Sequence, residues 1–475
     1  MSRVTAQSLL VILAGLVIAS GAAAAAPVGW RTDGTGRYPE ADPPVKWSAT
    51  ENVLWKTPMP SWSNATPVLV GDRLLVCSEP TTLLCVRLSD GAILWQKTNT
   101  YVDALGPAEA EKYLPLLKEI DVEAETKQLR RLEGQLSRAE NELKKLANDA
   151  KKNPPTDEAK KKAEEFRQQA EEAKKQVEAV KTKLKPVERF VMPLTQGVNG
   201  YSSSTPASDG KHVYVLFGTG VAACYDLDGN RQWITTLDKP RDAYGHSASP
   251  LVVDGKLITL VAELVALDAR TGAVAWKVKA QPRWGTPVAA RVGDVEVVIT
   301  ANGDAFRARD GALLANRMGK LDFCSPIVRD GVVYFIEFDG RAAKLPAAPA
   351  DRLAVEPLWK TQPRKERYYA SPVWHDGLIY CIMQQGFASA VDAGTGQVVW
   401  EQNMNLGKGT CYPSVTQAGN YIFISSDNGT TAVLEPGRAY KEAARNSLEP
   451  FRSSPVFAGK RLYVRGLRNL YCIGQ

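Results

Sequence analysis

The stretch ASPVWHDGLIYCIMQQGFASAVDAGTGQVVWEQ, residues 370–402, decides the fold. It opens at Ser371-Pro372 and turns at Asp376-Gly377. A second apolar run follows at Leu378–Met383, and a third ends in a Thr-Gly turn. Trp400 lies four residues after that turn glycine, Gly396. Apolar runs of this length between turn residues read as strands. Asp-Gly between two such runs favours a two-residue hairpin, because both turn residues can take positive φ. The stretch therefore predicts a four-stranded antiparallel unit.

The unit recurs. Ser/Thr-Pro followed by an apolar run appears at Thr66-Pro67, Thr205-Pro206, Ser249-Pro250, Thr286-Pro287, Ser325-Pro326, Ser371-Pro372 and Ser454-Pro455, with a degenerate copy at Pro413-Ser414. From Pro206 onward, with Ser414 as the seventh anchor, the spacings are 44, 37, 39, 46, 42 and 41. The turn recurs at Asp209-Gly210, Asp254-Gly255 and Asp330-Gly331. Third-strand endings equivalent to that of Trp400 place Trp95, Trp233 and Trp276 alike, on fourth strands where a large flat side chain can bridge neighbouring units. Pro67 to Pro206 is the outlier, with about 99 extra residues. Without them, residues 49–475 make eight units of 41. Repeats of this period with four strands each predict an all-β propeller of eight blades, with seven as the competing count. The last unit stops at its third strand, Tyr471-Cys472-Ile473. The Trp-bearing segment around Trp55 supplies the missing fourth, leaving no open sheet edge at the seam.

The extra residues form a separate element. Leu129, Leu132, Leu136, Ala139, Leu143, Leu146 and Ala150 alternate spacings of 3 and 4. After Asn153-Pro154-Pro155 the register restarts at Ala159 and runs to Leu184. This is the seam of an antiparallel coiled-coil hairpin over 106–186, inserted between the first and second blades. Its 19 Lys/Arg and 17 Asp/Glu give a mixed surface, unlike a basic DNA-binding arm. It reads either as a solvated spacer or as a docking arm for a protein partner. The resulting domains are a signal peptide at 1–25, an N-terminal arm at 26–48, propeller at 49–105, the hairpin, and propeller at 187–475.

Composition limits the function classes. The 475 residues are 44% hydrophobic and 23% charged with a net charge of +7 spread along the chain, so no nucleic-acid partner is implied. Arg3, the apolar run Leu9–Ile18 and the small residues to Ala26 read as a secretory signal. That run is too short for a transmembrane helix, and no later one is longer. No Cys lies near the cleavage zone, so the expectation is an exported, periplasmic or extracellular, soluble chain without a lipid anchor. Cys85, Cys224 and Cys472 take the place of Ala266 and Ala390 and read as core fillers. Cys77 and Cys85 flank one hairpin and could form a disulfide. The three histidines, His212, His246 and His375, do not converge, so no metal site is expected. No catalytic motif is present.

The Ser-Pro starts together with the Ala-x-Asp-x-x-Thr-Gly-x-x-x-Trp endings at Ala266–Trp276 and Ala390–Trp400 resemble the pyrroloquinoline-quinone-type repeat propellers. That family includes quinoprotein dehydrogenases and cofactor-free propellers such as the outer-membrane-protein assembly factor BamB. The resemblance implies either of two functions. One is a non-catalytic scaffold in the cell envelope, binding protein partners through the propeller face or the hairpin. The other is an alcohol or sugar oxidoreductase using pyrroloquinoline quinone (PQQ) with calcium, or another metal. Quinoprotein alcohol dehydrogenases carry an adjacent Cys pair over the quinone, and haem-bearing relatives a Cys-x-x-Cys-His. Neither occurs here, so no cofactor is expected and the scaffold is favoured. The residues before each anchor should ring the mouth of a central funnel on the hairpin's side: Asn64, Tyr201, His246, Arg283, Trp284, Asp322, Phe323, Tyr368, Tyr369, Tyr412 and Arg452. Aromatics interleaved with a few polar groups suit a small-ligand or peptide site. Trp55, Trp95, Trp233, Trp276 and Trp400 are expected to dock blade on blade.

Overall fold

The computed structural model describes residues 27–475, and the expected signal peptide lies outside them. Eight four-stranded antiparallel sheets follow one another along the chain, each running from an inner strand to an outer one. Blade 1 begins at Val68, blade 2 at Ala207, blade 3 at Leu251, blade 4 at Val288, blade 5 at Ile327, blade 6 at Ala370, blade 7 at Thr416 and blade 8 at Val456. The outer strand of blade 8 is Val53–Pro58, paired with Asn469–Gly474, so the two ends of the propeller share a sheet. The eight-blade count holds.

Two repeated contacts join the blades. At the centre, each anchor residue donates its backbone N–H to the hydroxyl of the next anchor. The bonds run Thr66 to Thr205 (3.1 Å), Thr205 to Ser249 (2.9 Å), Ser249 to Thr286 (3.0 Å) and Thr286 to Ser325 (2.8 Å). They continue Ser325 to Ser371 (3.0 Å), Ser371 to Ser414 (3.2 Å), Ser414 to Ser454 (3.0 Å) and Ser454 to Thr66 (3.2 Å), closing the circle. Ser414 follows its proline instead of preceding it, yet its hydroxyl fills the same place. A Ser or Thr starts every unit because this buried N–H needs an acceptor from the neighbouring blade.

At the periphery, the indole Nε1–H of an outer-strand tryptophan donates to a carbonyl of the next blade. Trp55 bonds Leu88 (3.2 Å), Trp95 bonds Leu227 (3.0 Å), Trp233 bonds Ala269 (2.9 Å), Trp276 bonds Ala308 (3.0 Å) and Trp400 bonds Gly437 (3.1 Å). Trp359 makes the same bond to Ala393 (3.0 Å) in blade 5, where the turn glycine of the pattern is missing and a longer connection replaces it. In every case but Trp400 the indole packs on the turn glycine of the next blade. A Cβ on Gly272 would come 2.6 Å from Trp233. Opposite these tryptophans on the third strand stand Cys472, Cys85, Cys224, Ala266, Ala342 and Ala390. A large ring on one strand needs a small residue across from it, which accounts for these cysteines.

All seven cysteines are free and buried. The disulfide considered for Cys77 and Cys85 does not form, because the register pairs Cys77 with Leu83 and Cys85 with Leu75. The two are diagonal neighbours, at a separation of roughly 7–8 Å that exceeds disulfide reach. The Asp-Gly turns also differ. Asp254, Asp330 and Asp376 take positive φ with their glycines, whereas at Asp209-Gly210 only the glycine does. There the Asp209 carboxylate accepts the N–H groups of Lys211 (2.8 Å) and His212 (2.6 Å), giving a wider loop.

The insertion contains three helices, one more than expected: α1 (Pro107–Glu119), α2 (Val122–Ala150) and α3 (Asp157–Leu184). The α2–α3 pair is the packed hairpin, capped by Asp121 and Thr156, whose side chains accept the N–H groups of Ala124 and Ala159. Leu132, Val177, Val180 and Leu184 are buried with Val187 and Phe190, and α1 packs against this base. Towards the tip, Leu143, Leu146, Ala163 and Phe166 are only half-buried. The root is fixed to blade 2, where the Tyr101 hydroxyl donates to Thr219 (2.6 Å) in the connection between second and third strands.

Candidate functional site

The residue two places before each anchor faces the axis. In blade order these are Asn64, Ser203, Ser247, Trp284, Phe323, Tyr369, Tyr412 and Arg452, and all eight line one cavity of about 600 Å³. They divide into two arcs. Trp284 stacks on Phe323 (centroids 5.0 Å, 19° between planes), Phe323 meets Tyr369 edge-on (4.8 Å), and Tyr369 stacks on Tyr412 (5.1 Å). Tyr244 extends this row from blade 3, edge-on to Trp284 at 6.3 Å. Blades 4 to 7 therefore present a continuous aromatic wall.

The opposite arc is polar. Asn64 Nδ2 donates to Val198 O (2.8 Å) and Ser203 Oγ (2.9 Å), while its Oδ1 is buried without a partner. Arg452 reaches Val198 O (3.4 Å) and lies 3.9 Å from Asp427, its Nε likewise unpartnered. Val198 belongs to the segment returning from the hairpin, so the insertion forms part of the funnel wall. Tyr244, Phe338 and Val198 are 54%, 42% and 38% exposed and make an apolar lip.

The carboxylates of the cavity are already engaged. Asp322 pairs with Arg283 at 3.0 Å. Glu337, 3% exposed, accepts the N–H groups of Asp322 (3.1 Å), Phe323 (2.8 Å) and Cys324 (2.7 Å). Burial pushes its pKa up, and these three donors oppose that shift. Glu79 plays a matching part between blades 1 and 2, accepting from Tyr201 N (2.9 Å) and Ser202 N (2.6 Å). Both acids hold the loops that carry the ring. Their signal in the sequence is an acidic residue directly after an apolar second strand.

The floor comes from the N-terminal arm. Val28 bridges to Ser208 of blade 2, and Trp30 lines the cavity. Arg31 crosses to donate to Pro372 O (2.8 Å) and to Val415 O in blades 6 and 7. Arg37–Tyr38 then adds a parallel fifth strand to blade 7. The arm spans the ring along a diameter.

Of the residues expected at the funnel, Asn64, Trp284, Asp322, Phe323, Tyr368, Tyr369, Tyr412 and Arg452 line the cavity; Tyr201, His246 and Arg283 do not. Tyr201 turns away and donates its hydroxyl to Pro193 O (2.8 Å). In blades 2 and 3 the inward positions belong to Ser203 and Ser247, and a small serine carries little signal beside Tyr201 and His246. His246 and Arg283 line a separate groove of about 760 Å³ between blades 3 and 4, which shares Trp284 with the funnel. Burial lowers the pKa of His246 to about 4, so its imidazole is neutral at physiological pH. Among the described residues, no group of three His, Cys, Asp or Glu is placed to hold a metal ion.

The carboxylates lining this cavity offer no free pair of oxygens to a quinone–calcium pair. Calcium takes six to eight oxygen ligands with free carboxylate capacity, and Asp322 and Glu337 are committed to Arg283 and to backbone N–H groups. No neighbouring cysteines stand over the axis.

The family model described as "Outer membrane protein assembly factor BamB" matches residues 261–473. Outer membrane protein assembly factor BamB of Yersinia pestis is 25% identical over 285 residues, which is 54% of this chain and 67% of that protein. A quinohemoprotein alcohol dehydrogenase from Pseudomonas putida HK5 superposes with a TM-score of 0.51 at 11% identity, over 93% of this chain and 80% of the other. The computationally designed Ika8 protein gives 0.51 at 8% identity, over 89% and 100%. These two structures speak to the fold alone. With the repeats and the ring of anchors, the chain is a β-propeller whose residues 261–473 are similar to the pyrroloquinoline-quinone-type repeat family.

Proposed function

We propose that this protein is an exported, non-catalytic scaffold of the cell envelope that holds a partner protein on its funnel face. The observation that carries the reading is the joining of three features at one mouth: the aromatic wall, the exposed lip of Tyr244, Phe338 and Val198, and the return segment of the helical hairpin. Aromatic area that is half-buried and ringed by polar groups is what a protein interface core needs. The likeness to an outer membrane protein assembly factor supports the envelope setting. No helix among the described residues is long and apolar enough to cross a membrane. Contact with membrane machinery would therefore run through the partner. The hairpin extends the docking surface, and its weakly buried outer half is free to adapt to it.

Photo-crosslinking tests the reading. A benzophenone side chain at position 244 in intact envelopes should give one discrete adduct, while the same group at position 274, on an outer strand, should give none. Equal adducts at both positions would remove the funnel face as the docking surface. Trimming residues 140–169 spares the buried base of the hairpin; loss of the adduct assigns docking to the tip, and its retention assigns it to the propeller. Calorimetry with PQQ and Ca²⁺, followed by dye-linked alcohol oxidation, tests the cofactor-free part. Stoichiometric binding with turnover would replace the scaffold by an enzyme.

A further inference from the structure

Hydrogen-bond accounting at the axis points to the chemistry of the ligand. Each anchor hydroxyl accepts an N–H from its neighbour, and among the described residues none of the eight hydroxyl hydrogens finds a protein acceptor. The eight residues are 1–7% exposed, and all but Ser249 line the cavity. A Ser or Thr hydroxyl carries one donor and two lone pairs, so the ring presents donors to whatever enters.

Charge at the floor has the same sign. Arg31 is 1% exposed, and its two hydrogen bonds go to neutral carbonyls. Its Nε has no partner, and its guanidinium lies 5.1 Å from the Trp30 ring that lines the cavity. Asp33, the acid nearest in sequence, is turned to the N–H (2.9 Å) and hydroxyl (2.6 Å) of Thr35. A buried guanidinium without a carboxylate is costly, and an anion nearby relieves that cost. Arg31 itself is not in the lining; of the charges that are, Asp322 and Glu337 are engaged as described above. Arg452 stands 3.9 Å from Asp427, and Arg367 is exposed at the rim and in no ion pair among the described residues. The cavity thus has donors and positive charge to spare, and among its buried side-chain oxygens only Asn64 Oδ1 is without any partner.

We propose that the funnel axis is a carboxylate site, filled by an acidic side chain on the polypeptide segment that docks at the mouth. This rests on the reading of the funnel face as a protein-docking surface. The occupant is a polypeptide because the apolar lip extends contact beyond the volume a small acid fills. An apolar neighbour in the segment meets the aromatic wall, and the carboxylate accepts from the hydroxyl ring below it. Charge-assisted hydrogen bonds of this kind are the stronger class.

Three capped peptides distinguish the outcomes by calorimetry on the full chain: Phe-Gly-Glu-Phe, its Gln counterpart and its Lys counterpart, with sodium acetate as a separate titrant. The Glu peptide should bind about tenfold more tightly than the Gln peptide, the Lys peptide should bind weakest, and acetate should compete. Arg31→Met should narrow the gap between Glu and Gln. If that variant fails to fold by circular dichroism, Arg452→Gln gives the same test from the rim. Equal binding of the Glu and Gln peptides, or an unchanged gap in the folded variant, would overturn the carboxylate site and leave the docking face standing. Acetate binding that depends on Arg31 or Arg452, without binding of any peptide, would keep the carboxylate site and remove the polypeptide. Binding of none of the four titrants would overturn the proposal.

Discussion

Two circles of eight residues lie two positions apart on the same eight loops. The inner one is Ser or Thr in every blade, and each member makes the same bond to its neighbour. The other runs from Asn64 and two serines through four aromatics to Arg452, and no two adjacent blades repeat a contact there. Identical residues mark a requirement every blade shares, namely satisfying a buried N–H at the point of closest approach. Different residues mark positions that the fold leaves open. A cavity whose wall is set by the open positions, on a base set by the shared ones, can acquire specificity without disturbing closure.

That difference can be broken in order of effect. The outer belt of tryptophans belongs with the shared contacts. Replacing Trp233, which is 8% exposed, by Ala leaves a cavity against Gly272 and an uncapped carbonyl at Ala269. The expected loss is about 3–5 kcal/mol, read from denaturant unfolding. In the inner circle, Ser371→Ala strands the N–H of Ser325 and should cost about 1–3 kcal/mol. Its counterpart two residues earlier, Tyr369→Ala, should cost less stability than Ser371→Ala while weakening capture at the funnel. If Tyr369→Ala proves the more destabilising, the division between the circles fails.

The groove beside the funnel sharpens the comparison through pH. His246 has a pKa of about 4 in the folded state against 6.5 ordinarily, so the unfolded chain binds its proton first. Its contribution is therefore complete above pH 6.5 and is lost as pH falls towards 4, with a slope of at most about 1.4 kcal/mol per pH unit. His246→Gln should flatten that part of the stability profile. An unchanged acid limb would mean that His246 titrates as if exposed. The smallest effect expected is that of Trp276→Phe, which keeps the ring against the next blade and removes the bond to Ala308 (3.0 Å), at about 0.5–1.5 kcal/mol.

Much of the fold was legible because it repeats. Eight Ser/Thr anchors and four tryptophans at a common offset from a turn are visible without a structure, since each blade solves the same two contacts with the same residues. Trp359 escaped because an irregular connection replaces the turn glycine that identified the others. Glu79 and Glu337 escaped because an acidic residue after a second strand does not by itself say which loop it will hold. In the funnel, Asn64, Trp284, Phe323, Tyr369, Tyr412 and Arg452 were found by offset from the anchor. Ser203 and Ser247 were passed over for the larger Tyr201 and His246 nearby. Side-chain size is a poor guide to which of four consecutive loop residues faces an axis.

The sequence by itself determined the repeat, the inserted helical pair and the seam between the two ends of the chain, because strand alternation, heptad spacing and turn chemistry are local. Only the tertiary structure decided the path of the arm through Trp30 and Arg31, the grouping of four aromatics into one wall, and the donors left over at the axis. Those depend on where eight separate loops converge. Convergence is set by the closure of the ring, to which residues far apart in the chain contribute together.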